Sequence, residues 1–164
     1  MPSLRRLSCQ QIQAQPTTNQ LSTNYSLAPP SAAVAEIERQ VIQLLSSSNE
    51  GDDAKRHRLI RGAAVLALQR DFEVIYRLIF GSQLDLLLRA NAGGFDEAGA
   101  DALYRNARGM FPAVHESGSF EMWLSFLVNR QLIERKSSRI LVAQKGKEFM
   151  QYLVEVGLTT PKGG

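Results

Sequence analysis

The chain has 164 residues, 44% hydrophobic and 21% charged, a size and balance that suit one packed domain, or one domain with a tail. Its net charge is +3 with acids and bases interspersed, so composition alone argues only weakly for nucleic acid, which is bound by a local patch. No uninterrupted run of about 18 apolar residues occurs, which argues against a membrane-spanning helix. The single Cys9 excludes an internal disulfide framework and a cysteine-based zinc site, and points to a reducing, cytoplasmic setting.

Residues 1–30 are rich in Gln, Ser, Thr, Asn and Pro, contain no acid and show no helical stripe. They are expected to form a disordered tail, because they lack the apolar surface that would offset ordering entropy. Leu7-Ser8-Cys9 looks like a lipoprotein cleavage box, but too few residues precede it to supply an apolar leader core.

Residues 31–94 read as a helical segment. Ser31 offers an N-cap, and Val34, Ile37, Val41, Leu44 and Leu45 recur at helical spacing, predicting a helix over about 32–45. A polar breaker over 46–51 follows, after which Asp52 or Asp53 can cap the next helix. From Ala54 the chain favours helix through Asn91, set out here as about 54–70 and 72–91. Arg70-Asp71 leaves open either a fresh cap or one long helix. Leu59, Ala63 and Leu66 lie on one stripe; Phe72, Tyr76, Ile79, Phe80, Leu84, Leu87 and Leu88 form a stronger one, the first six of them apolar enough to serve as a homodimer face. Gly81 inside that run marks close packing or a bend.

Ala90 to Gly94 closes the helix, and a further helix over about 96–110 starts on two acids that suit its dipole, with Ala98, Ala102, Leu103, Ala107 and Met110 as its apolar side. Ser119 is the next N-cap. Phe120, Trp123, Leu124, Phe126 and Leu127 then cover more than half of a helix, which predicts a widely buried element. Leu132-Ile133-Glu134 reads as a strand, Arg135 to Ser138 as a polar turn, Arg139 to Val142 as the return strand, and Lys145-Gly146 as the opening of a last helix. Residues 159–164 are expected to be a flexible tail.

The order of helix, "QLIERKSSRILVAQKGKEFMQYL" hairpin and final helix resembles the end of a winged-helix (winged helix-turn-helix) domain, over about residues 96–157. The resemblance implies a mainly α fold: a helical bundle with a C-terminal winged-helix-like unit, residues 95–158, containing a short two-stranded β-hairpin. It places a recognition helix at Phe120 to Arg130 and a wing at Arg135 to Arg139. Double-stranded DNA would then be the partner, with Asn129 and Arg130 near the groove and Arg135, Lys136, Arg139, Lys145 and Lys147 on phosphates.

The recognition helix is poor in base-reading side chains, and Glu121 near its start opposes phosphate. The function expected is therefore a small dimeric DNA-binding or regulatory protein, the alternative being a protein-interaction adaptor or structural helical module without nucleic acid. Phosphate loops, dinucleotide fingerprints and hydrolase or zinc-protease motifs do not occur, so no catalytic residue, cofactor or metal is expected. His57 and His115 read as surface histidines. Lys55, Arg58 and Arg61 share a helix face as a second basic patch.

Overall fold

The computed structural model describes residues 29–160, 162 and 163. Nearly all of the polar segment 1–30 lies outside them. The chain divides into two units, one ending at Asn49 and the other Glu50–Gly164.

The described part of the first unit is helix α1, Ala32–Ser46. Ser31 caps it as expected, its Oγ accepting the Val34 N–H at 3.3 Å. At the other end the hydroxyls of Ser46, Ser47 and Ser48 donate to the carbonyls of Ile42, Leu44 and Leu45, the last two of which the helix terminus leaves free. None of its residues is buried.

The second unit is mainly helical with a small antiparallel sheet. Helix α2, Asp52–Leu78, starts at Gly51 with Asp52 and Asp53 in its first turn, where they complement the dipole rather than supply a side-chain cap. It runs unbroken through Arg70-Asp71, so the division at that point is corrected. Asp71 caps nothing; its carboxylate faces Lys145 at 2.7 Å and Arg130 at 3.5 Å.

The chain breaks instead at Ile79 and Phe80, both extended, before α3, Gly81–Asn91. Ile79 donates to Ile75, and the Phe80 N–H to the Gln83 side chain at 2.9 Å, so the break leaves neither backbone donor unpaired. Gly81 opens α3 rather than interrupting it. A Cβ there would overlap the backbone of Lys162, which crosses this junction. The Gly81 N–H donates to Gly163 O at 3.2 Å, and the Lys162 ammonium donates to the Tyr76 carbonyl, 4.7 Å from the centre of the Tyr76 ring. Burial pulls the Lys162 pKa below the usual lysine range. Lys162 and Gly163, expected in a free tail, are thus docked on the fold.

Two positive-φ glycines, Gly93 and Gly94, turn the chain into β1, Phe95–Asp96. Asp96 also caps α4, Glu97–Met110, by accepting the Gly99 N–H at 2.6 Å. Helix α4 buries Ala100, Tyr104 and Ala107, while Ala98, Ala102 and Met110 are exposed. Tyr104 sets this face: its ring is core and its hydroxyl donates to Gly118 O at 2.6 Å. The expected apolar side holds at Ala107, which is buried, and at Leu103, which packs against the core, and is corrected at Ala98, Ala102 and Met110.

Ser119 caps α5, Phe120–Asn129, accepting from Met122 N at 3.2 Å, and Trp123, Leu124 and Leu127 are buried. Strands β2, Ile133–Lys136, and β3, Arg139–Val142, form the hairpin, with Lys136 opposite Arg139 across Ser137-Ser138. The strand therefore reaches two residues further than expected, and the turn is tighter. β1 joins β3 through Phe95 opposite Ile140, giving a three-stranded sheet in the order β1-β3-β2. Helix α6, Gln144–Glu155, buries Gly146, Phe149 and Leu153.

One hydrophobic core joins these elements, and the proposed dimer stripe lies in it. Phe72, Ile79 and Leu87 are buried, and Tyr76, Phe80 and Leu84 are partly buried against the core, so most of this stripe packs within one chain. Phe72 lies 5.5 Å from the rings of both Phe149 and Tyr152. Gln83 is buried at the centre, accepting from Phe80 N and donating to Trp123 O at 2.7 Å, while the Trp123 indole N–H donates to Ser82 Oγ at 3.1 Å.

Two stability outcomes follow. Gln83→Leu leaves the Phe80 N–H without its acceptor and removes the bond to the Trp123 carbonyl, and is expected to destabilise the fold by about 1–3 kcal/mol, read as a denaturant midpoint. Gly146→Ala would push a Cβ into the Leu132 carbonyl and is expected to cost about 1–3 kcal/mol, whereas Gly62→Ala, with nothing within 4 Å, should gain up to about 1.

Candidate functional site

The residues expected on DNA surround α5 and the hairpin, and most are already engaged within the chain. Arg135 on β2 donates from Nε to Glu97 at 2.6 Å and from Nη1 to Glu121 at 2.8 Å. These hydrogen bonds, Glu121 first and then Glu97, raise its pKa further above the usual arginine value. Lys136 lies 2.8 Å from Glu134, and Arg139 donates to Gly93 O at 2.8 Å. Arg130, the C-cap of α5, stands 5.8 Å over the Phe126 ring and shares Asp71 with Lys145. Asn129 and Lys147 are exposed.

The fold thus brings Glu97, Glu121 and Glu134 among Arg135, Lys136 and Arg139, three acids with three cations. Each exposed pair contributes only about 0–1 kcal/mol to stability. Their effect is on the field: opposite charges a few ångströms apart cancel at the distance where a phosphate would approach. Of the second basic patch, Arg58 lies 3.3 Å from Glu50, and His57 is exposed as expected.

Glu121, Met122, Ser125, Val128 and Asn129 make the exposed side of α5, with no cation among them. Beside it runs a groove of about 500 Å³ between α5, the end of α2 and the loop 111–119, walled by Leu78, Phe80, Val114, Met122, Trp123 and Phe126. Leu78, Val114 and Met122 are exposed there. Arg130 also lines it.

His115, expected at the surface, also lines the groove but is buried, its ring 4.9 Å from Phe80 and 5.8 Å from Tyr104, both edge-on. Its Nε2 has no hydrogen-bond partner, a rare state for a buried polar atom. The loop that carries it has no periodicity, so spacing gave no sign of its burial. The Phe111-Pro112 turn, whose carbonyls accept the His115 N–H, folds it inward.

Among the described residues no group of three or more His, Cys, Asp or Glu is placed to hold a metal ion, and no helix is long and apolar enough to cross a membrane. No protein-family model, curated protein or solved structure matches this chain.

Proposed function

We propose that Glu50–Gly164 is a protein-interaction module of winged-helix type, in a protein of the reducing cytoplasm, that takes an apolar segment of a partner in the groove beside α5. The element order α3-β1-α4-α5-β2-β3-α6 and the sheet order β1-β3-β2 support the winged-helix reading. The observation that carries the function is the α5 surface: the helix a DNA reader would present carries no exposed cation and adjoins an apolar groove. Exposed apolar side chains grouped around a concavity are what a partner helix or strand buries.

Duplex DNA is the second reading. It is favoured by the same element order and by the low strength of exposed ion pairs, since phosphates can displace Glu97, Glu121 and Glu134 at small cost. Asn129, Arg130, Arg135, Lys136, Arg139, Lys145 and Lys147 would carry it.

A salt titration on mixed-sequence duplex separates the two. The adaptor reading expects no saturable binding at about 50 mM salt, and no change in Arg135→Ala, Lys136→Ala or Arg139→Ala. Affinity that falls steeply with salt and drops evenly in those variants would establish the DNA reading instead. In the cell, proximity cross-linking to a defined partner should be lost in Val114→Asp and Met122→Asp while the circular dichroism spectrum stays unchanged.

A further inference from the structure

The break between α2 and α3 leaves backbone groups of both helices without a helical partner. In a continuous helix the Phe80 N–H would donate to the Tyr76 carbonyl; it turns to the Gln83 side chain instead, which frees that carbonyl. Gly81, the first residue of α3, has an N–H for which its own helix holds no acceptor. Lys162 and Gly163 take both groups. The Lys162 ammonium donates to Tyr76 O and lies over the Tyr76 ring, and Gly163 O accepts the Gly81 N–H at 3.2 Å. A cation at the end of α2 also suits the helix dipole. The φ of Gly81 is not positive, so its own backbone would take alanine, yet a Cβ there would overlap the Lys162 carbonyl. The missing side chain at Gly81 thus makes room for this crossing segment.

The same two residues stand beside the α5 groove. Leu78, Phe80 and Val114 wall both that groove and an adjoining hollow of about 400 Å³, and Lys162 and Gly163 form another wall of this hollow. A third hollow, of about 360 Å³, lies between α3 and α6, walled by Leu84, Leu88, Met150, Leu153 and Leu158. Lys162 borders both hollows, so its side chain and backbone separate them.

We propose that Lys162 and Gly163 act as an intrachain competitor for the partner's segment: docked at the break they end the groove, and released they let that segment run on across the break towards α6. The proposal rests on the reading of the α5 groove as a partner site. The contacts suit reversible docking. Two hydrogen bonds and one cation–π contact are comparable with the entropy lost in ordering a short stretch of chain, and the ammonium gives up part of its hydration as it docks. Docked and released states therefore lie close in free energy, and a partner that needs the released state can shift between them.

The test uses the full chain and two variants that release the segment by different routes. Lys162→Glu sets a carboxylate against the Tyr76 carbonyl, and Gly81→Ala sets a Cβ against the Lys162 backbone. Exchange of the amide at position 81, followed by NMR, reads docking and is expected to be many-fold faster in both variants than in the wild type, while the near-ultraviolet signal of Trp123 persists. The dye bis-ANS reads the groove: its fluorescence should rise several-fold in both variants, although the new carboxylate in Lys162→Glu opposes an anionic dye. Adding Val114→Asp should remove the gain. Exchange at position 81 that is as fast in the wild type as in the variants would overturn the docking. A released segment with unchanged dye binding, or a gain that survives Val114→Asp, would overturn the competition and leave the α5 groove to its own cross-linking test.

Discussion

Gln83 is where the C-terminal unit is tied together. Two extended residues, Ile79 and Phe80, end α2 and let α3 turn away from it, and the Gln83 amide closes that break by accepting the Phe80 N–H. The other end of the same amide donates to the Trp123 carbonyl, so the helix break and α5 are set by one buried group. A buried amide costs free energy unless both ends are paired, and here both are. The indole of Trp123 then reaches Ser82, the neighbour of Gln83, and the aromatic cluster of Tyr104, Phe120 and His115 packs around it. Trp123, Tyr104 and His115 of this cluster also line the groove beside α5.

Charge in this fold is local and mostly internal. The sequence presents Arg135, Lys136 and Arg139 as a basic wing, but Glu97 from α4 and Glu121 from α5 converge on Arg135 from elements far away in sequence. Asp71 does the same for Arg130 and Lys145, linking the middle of α2 to the end of α5 and the start of α6. Each pair is weak in stability. Together they turn a cationic hairpin into a neutral one, and the apolar groove becomes the more distinctive feature of that side.

Local signals were legible where the physics is local. Ser31 and Ser119 cap the helices they precede, the wide apolar face of α5 is buried, and the β2–β3 hairpin lies where a β-branched run flanks a polar turn. What the sequence hid depends on partners distant in the chain. Asp71 has the composition of a cap and serves as an ion-pair centre. The true break at Ile79 and Phe80 has no Gly or Pro ahead of Gly81 and is fixed by Gln83 and by Lys162 and Gly163 crossing it. β1 is two residues long, and only its pairing with β3 makes it a strand. At the candidate site, the cations were legible as residues, but their acid partners were not. His115 was hidden because burial in a loop leaves no periodic trace.

Helix α2 enters the core only through its second half: Phe72 and Ile75 are buried, whereas Leu59 and Leu66 are exposed. Its apolar residues, summed as one pattern, blur into a weak stripe because the two halves point in different directions. The packing that starts at Phe72 and is closed by Gln83 holds the rest of the unit. Amide hydrogen exchange along α2 tests this most directly. Amides from Phe72 to Leu78 should exchange slowly, since their helix is held by the core, and those from Arg58 to Gln69 much faster. Equal protection of the two halves would contradict it.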